Sequence, residues 1–308
     1  MRVAVVDVGS NSIKSLVASR TPEGRLVEVG SRTLDVRMGS GIGSDRPRLS
    51  RDAIERGVAA VENLASEARG LGAGRIIAVA TSAVRDAANG KEFLDEARSA
   101  TGLDIRVLTG PEEAALIGRG LATDPALGEL LDFHVYDLGG GSLECLSFRN
   151  RAVERAVSLP LGCVRLTERF VPRPSAPFAE EVARAIGGHV RDVLRASDFE
   201  LPVPQGFAVV GTGGTLTAVR AIVAARSGAP FEEASPLVGV PLLREVLASV
   251  GPMELAERRR VPGLPPARAD VFPAALAVFL ALADLGAIQA FHHSLRNLRW
   301  GVAAESLG

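Results

Sequence analysis

Val6-Asp7-Val8-Gly9-Ser10-Asn11-Ser12 and Tyr136-Asp137-Leu138-Gly139-Gly140-Gly141-Ser142 carry one pattern twice: an apolar run closing on Asp, a spacer, a glycine-led turn and a serine. Around the first, Arg2–Asp7 reads as a buried strand, Ser12–Ser19 as its partner across a tight Gly9–Asn11 turn, and Arg25–Arg37 as further extended chain. Around the second, His134–Asp137, Leu143–Arg149 and Ala152–Leu159 read the same way. Strand, turn, strand, third strand and helix thus occur twice. Duplication of one α/β unit accounts for both halves, with a boundary near Ala122–Glu129. The division expected is 1–124 and 125–293, with a C-terminal helix of about 294–308 packing back on the first part.

Between the two patterns, apolar runs of strand length alternate with helical stretches, the signature of α/β layers. Asp52–Arg69 places Ile54, Val58, Val61, Leu64 and Ala68 on one helical stripe that Ser50 is suited to cap. Arg75–Ala80 and Asp104–Leu108 read as strands, Lys91–Thr101 as a helix, and Pro111–Gly120 as a helix opened by proline. In the second half, Ala179–Ala196 reads as a helix, Gly206–Val210 as a strand and Thr215–Ala225 as a helix entered through a Gly/Thr loop. Pro273–Phe291 is the most apolar long stretch; Asp284 and Gly286 interrupt it, so a buried helix is expected rather than a membrane span.

The chain has 308 residues, 47% hydrophobic and 23% charged, which suits two globular domains. With a net charge of -1, no global field draws nucleic acid or an anionic membrane, and positive potential for a polyanionic substrate must be local. Cys145 and Cys163 have no CxxC spacing and read as small core residues in a reducing compartment. The apolar run Val3–Val6 is too short for a secretory signal, so a cytoplasmic location is expected.

Glycine lets the first loop turn sharply, and successive N–H groups in such a turn form an anion-binding nest to which Ser10, Asn11 and Ser12 add donors. Asp7, at a strand end, is suited to a metal or a water. In the second loop, Gly139, Gly140 and Gly141 lower stability entropically, which points to close approach of a ligand to the turn before Ser142. Glu144 follows Ser142 by two residues and shares its face, so Asp137 and Glu144 are expected as neighbours across the hairpin. Two carboxylates beside a phosphate suit Mg²⁺ or another divalent cation. A third loop, Gly211-Thr212-Gly213-Gly214-Thr215, follows a strand and opens a helix, whose free N–H groups favour anions. Its spacing is that of neither a P-loop nor a dinucleotide fingerprint.

A repeated α/β unit with two phosphate hairpins resembles the actin, sugar-kinase and heat-shock ATPase superfamily. The wording VDVGSNSIK, ATSAVRDAANG (Ala80–Gly90), TGPEEAALIGRG (Thr109–Gly120), YDLGGGSLE, SLPLGCVRL (Ser158–Leu166), GTGGTLTA (Gly211–Ala218) and ARADVFPAALAV (Ala267–Val278) is similar to the exopolyphosphatase and guanosine pentaphosphate phosphohydrolase (Ppx/GppA) family, short two-domain type. The resemblance implies an α/β fold of two duplicated actin-like (ribonuclease H-like) domains flanking an interdomain cleft. It implies an exopolyphosphatase releasing orthophosphate from inorganic polyphosphate, or a hydrolase of the 5′ phosphate of pppGpp; a kinase or nucleotide-sensing module is the reading of a different class. It makes Glu112 the general base, Arg85 and Arg268 phosphate ligands with Arg165 a weaker candidate, and Asp137 and Glu144 metal or water ligands; Lys14, whose strand parity matches Ser10 and Ser12, is expected to face the site. A homodimer is a family-level expectation. Trp300 stands where family members commonly have Glu. The chain also lacks the helical C-terminal region of long members, so a less processive grip on polyphosphate is expected. Consecutive His292 and His293 read as structural or surface residues rather than metal ligands.

Overall fold

The computed structural model describes all residues, Met1–Gly308. The chain forms two compact units, Met1–Gly128 joined by Arg296–Gly308, and Glu129–Leu295.

In the first unit, β1 (Arg2–Val8), β2 (Ser12–Arg20) and β3 (Leu26–Asp35) form an antiparallel meander. They are followed by α1 (Arg51–Gly70), β4 (Arg75–Ala80), α2 (Ser82–Arg85), α3 (Gly90–Thr101), β5 (Ile105–Val107) and α4 (Gly110–Ala122). The sheet runs β3-β2-β1-β4-β5, with β4 parallel to both β1 and β5. In the second unit come β6 (Phe133–Leu138), β7 (Leu143–Arg149), β8 (Ala152–Leu159), α5 (Cys163–Phe170), α6 (Glu180–Ala196), β9 (Ala208–Thr212) and α7 (Gly214–Ser227). Then follow β10 (Leu237–Gly239), α8 (Val240–Val250), α9 (Leu255–Arg258), α10 (Phe272–Gly286) and β11 (Ala290–His293). That sheet runs β10-β11-β9-β6-β7-β8; from its β8 edge it repeats the first topology strand for strand and adds β10. The fold is α/β, and the duplication read from the two hairpins is present in the backbone.

Local chemistry explains the elements. Ser50 caps α1 by accepting from the Ala53 N–H at 3.1 Å, and Ile54, Val61, Leu64 and Ala68 form its buried stripe. The β1 run Val3–Val6 is fully buried because α1 covers one face of the sheet and the C-terminal helix α11 (Leu298–Leu307) packs on β1 and β2 as well. In the second unit Tyr136 is a core residue, edge-on to Phe199 and Phe291. Cys145 and Cys163 are free and buried.

Two expectations are corrected. The apolar stretch Pro273–Phe291 is not one helix: α10 stops at Gly286, Ala287 takes a left-handed conformation (φ 55°), and Phe291 lies on β11. No helix is long and apolar enough to cross a membrane. The strand expected over Gly206–Val210 runs instead through Thr212, so Gly211 and Thr212 are strand rather than loop residues. Gly211 is there for packing, since a β-carbon would stand 2.3 Å from Leu216 Cδ1. Finally, α5 and α8 were not legible as helices.

The C-terminal helix crosses α4 at two glycines. A β-carbon at Gly301 would lie 1.8 Å from the Leu116 carbonyl oxygen, and one at Gly120 would lie 2.2 Å from that of Asn297. Backbone cannot yield as a side-chain tip does, so Gly301→Ala should force the helices apart. A loss of about 1–3 kcal/mol is expected, measured by denaturant unfolding, with Gly188→Ala as a control that meets no neighbouring atom.

Candidate active site

Both hairpin turns close alike. Gly9 N–H donates to Ser12 O at 3.2 Å, and Gly139 N–H to Ser142 O at 3.0 Å. In each turn the carbonyls are engaged from another segment. Ser10 O accepts from Gly39 N–H at 2.7 Å and Asn11 O from Arg37 N–H at 2.9 Å. Gly139 O accepts from Cys163 N–H at 3.0 Å, and Gly140 O from Val164 and Arg165 N–H at 2.8 and 3.2 Å. No backbone carbonyl accepts from the N–H groups of Ser10, Asn11, Gly140 or Gly141. Each loop therefore keeps two successive N–H groups for a ligand, the arrangement of an anion nest.

Orphaned polar atoms support the same use. Both amide atoms of Asn11, buried beside the first turn, have no hydrogen-bond partner. The hydroxyl of Thr215, in the first turn of α7, is likewise buried and unpartnered. Gly213 is the α7 N-cap, with φ 100° and no side-chain cap, leaving the first amides of that helix open. Arg268 lies against the same turn: a β-carbon on Gly214 would be 2.5 Å from its guanidinium carbon. Buried Arg258 holds that segment by donating to Ala269 O at 3.1 Å and to the Pro174 and Ala176 carbonyls at 2.9 and 2.8 Å. In the first unit, the Ser10 and Ser82 hydroxyls are 3.1 Å apart, which brings the β4–α2 turn to the first loop.

The second turn is also closely packed from outside. The N-terminus of α5 sits directly on the turn, and even Gly162 leaves no room for a β-carbon, which would be 2.3 Å from Gly140 O. Arg165 donates Nε–H to Gly141 O at 2.9 Å, so it braces the loop.

The carboxylates divide by charge. Asp7 lies directly opposite Lys14 in the first hairpin, and Asp137 directly opposite Glu144 in the second. Directly opposed side chains share a face. Asp7 also has Arg299 Nη1 at 3.6 Å, supplied by α11. Burial pushes its pKa up, against the pull of Arg299 and Lys14. Asp7 thus already faces two cations. Asp137 and Glu144 are two buried acids on one face, with Glu144 Oε1 accepting from the Ser158 hydroxyl at 2.8 Å. That donor set fits a divalent cation; no group of three or more His, Cys, Asp or Glu side chains is gathered, so water or phosphate must complete a coordination sphere.

Glu112 opens α4 in a capping box. Thr109 Oγ1 accepts from Glu112 N–H at 3.4 Å, while Glu112 Oε2 accepts from Thr109 N–H and Oγ1–H, both at 2.8 Å. Its Oε1 accepts from Arg106 at 2.6 Å. The bonds to Thr109 and the Arg106 guanidinium hold its pKa down at about 2. Arg85, expected on phosphate, is engaged by Glu113 Oε2 and Leu108 O, both at 3.0 Å, and by Asp86 at 3.3 Å. Glu113 is itself buried, so this pair ties α2 to α4.

The model of the Ppx/GppA phosphatase family matches residues 16–308. An Aquifex aeolicus PPX-GPPA enzyme of known structure is 27% identical, with 99% of each chain covered and a TM-score of 0.78. An exopolyphosphatase from Cytophaga hutchinsonii shares the fold at 22% identity, covering 100% of this chain and 98% of that one, with a TM-score of 0.88. The fold is that of the actin-like Ppx/GppA structures. The chain belongs to the Ppx/GppA phosphatase family and is a phosphoanhydride hydrolase.

Because the pKa of Glu112 is depressed, the stability its cap contributes is present above the ordinary value of 4.5 and is lost as pH falls through about 2. Arg106→Met removes one of the lowering interactions. The Glu112 carboxyl should then titrate at higher pH, nearer 4.5, as read by ¹³C NMR of side-chain carboxyls. An unmoved titration would show that Thr109 alone sets it.

Proposed function

We propose that the protein hydrolyses the terminal phosphoanhydride of inorganic polyphosphate and releases orthophosphate. The observation that carries this reading is the pair of matched turns with engaged carbonyls and unengaged successive N–H groups. Donors of this kind recognise a phosphoryl group and are indifferent to what lies behind it, as an enzyme working on chain ends requires. Family membership, and the exopolyphosphatase named among its structural relatives, support the same reading.

Phosphoryl transfer passes through a loose transition state, so positioning and charge compensation carry most of the rate. The N–H groups of Gly140 and Gly141 and of the first turn of α7 would hold phosphoryl oxygens, with Arg268 adding charge; Ser10 and Asn11 would do the same from the first loop. Asp137 and Glu144 would hold Mg²⁺, which when bound neutralises charge on those oxygens. Asp7, compensated by Lys14 and Arg299, suits orienting water better than holding metal. A carboxylate offers about four lone-pair sites. Glu112 uses three here, and the fourth would orient the attacking water. A pKa of about 2 makes Glu112 a weak base. A loose transition state asks it mainly for direction.

The test is orthophosphate release with Mg²⁺ and no acceptor, comparing polyphosphates of several lengths with pppGpp. Preference for polyphosphate is expected; preference for pppGpp would move the assignment to the 5′ phosphohydrolase. Glu112→Gln keeps the capping box, because glutamine can fill that position, but removes the carboxylate. It should lower kcat about 100-fold or more with only a small fall in Tm, from the lost Arg106 ion pair, whereas Glu112→Ala should lose activity and more stability. Full turnover in the Gln variant would assign the water to another group.

A further inference from the structure

His293, buried at the end of β11, is joined to the third loop by a chain of hydrogen bonds in which every direction is fixed. Arg220, buried on α7, reaches His293 Nδ1 with Nη1 at 3.1 Å. A guanidinium only donates, so Nδ1 must carry a lone pair and the imidazole proton must sit on Nε2. Nε2 is 3.3 Å from Thr217 Oγ1 and donates to it. The Thr217 hydroxyl, having accepted, gives its own proton to Gly213 O at 3.1 Å. Burial and the neighbouring Arg220 charge keep His293 neutral, with its pKa pushed down to about 4. Arg220 is itself fixed by Ala234 O at 2.6 Å and by stacking on Phe231 at 4.5 Å.

The end of the chain matters because a peptide group is planar. Anchoring the Gly213 carbonyl orients the Gly214 N–H, which belongs to the same plane and is the first amide of α7. Gly213 is also wedged against the second hairpin: a β-carbon there would lie 2.8 Å from Leu138 O and 3.1 Å from Asp137 Oδ1. The backbone bond from Thr217 N–H to Gly213 O is long, at 3.4 Å, so the hydroxyl makes the tighter contact. We propose that Arg220 and His293 are positioning residues, acting through Thr217 to aim the Gly214 amide at a phosphoryl oxygen. This rests on α7 binding phosphate.

Thr217→Val removes the hydroxyl at nearly constant volume and should raise KM for polyphosphate about fivefold to tenfold, with kcat within twofold. Thr217→Ser should restore it. His293→Leu should raise KM similarly, and the double variant should be no worse than either alone. Should His293→Leu fail to fold, the Val and Ser pair at Thr217 carries the test. Gly214→Ala perturbs the same turn, and Arg268 against it, without touching the chain. If it raises KM while Thr217→Val does not, the positioning role is overturned and phosphate binding at this turn, by α7 together with Arg268, stands. If Gly214→Ala leaves KM unchanged, the phosphate assignment of this loop fails, and the proposal with it. In the unaltered protein, ¹⁵N histidine spectra at neutral pH should show His293 protonated on Nε2 and bare at Nδ1; the opposite tautomer or an imidazolium would also overturn it.

Discussion

Engagement of the turn carbonyls is the constraint on which the site depends. In a planar peptide, holding one residue's carbonyl fixes the N–H of the next. Gly39 and Arg37 hold the carbonyls of Ser10 and Asn11; Cys163, Val164 and Arg165 hold those of Gly139 and Gly140. The open amides that follow a held carbonyl, Asn11 in the first loop and Gly140 and Gly141 in the second, are thereby oriented without a ligand, so a phosphate bound as proposed would require no reorganisation as charge develops. At the third loop a side chain, Thr217, performs the same act on Gly213.

Duplication supplied two copies of this backbone, and one side chain distinguishes their chemistry. Lys14 opposite Asp7 makes the first hairpin internally compensated, whereas Glu144 opposite Asp137 concentrates negative charge in the second. Two buried acids on one face repel unless a cation is shared between them. The units also diverge in their support: the first is completed by α11, which brings Arg299 to Asp7, and the second by the added strand β10.

What could be read from the sequence follows from the range of the interactions. Period-two apolar runs and glycine-led turns are local, so both hairpins and the α/β alternation were legible. The partners that engage the turns are not local. Gly39 lies in a stretch with no periodicity, and α5 is a short helix whose start is set by contact with the glycine turn. Ala287 ends α10 in a left-handed conformation without the glycine that would announce it. Gly211 looked like a ligand loop because a glycine needed for packing and one needed for a ligand are spelled the same way. The buried chain from Arg220 to Gly213 joins β11 to α7, which no local spacing encodes.

The same distinction applies to the acidic pair on α4. From the sequence, Glu112 and Glu113 were two similar carboxylates at a helix start. In the fold they separate completely: Glu113 is buried against Arg85, while Glu112 stands exposed, bound by Thr109 and Arg106. A strong base in this place would need its carboxylate destabilised by burial, and Glu112 has the opposite environment. Its ionised form is favoured by every neighbour it has, which suits a group that must direct a water without taking its proton early. In the hydrolysis proposed, the low pKa and the loose transition state are therefore consistent with each other, and the helix cap that lowers the one would also fix the direction that serves the other.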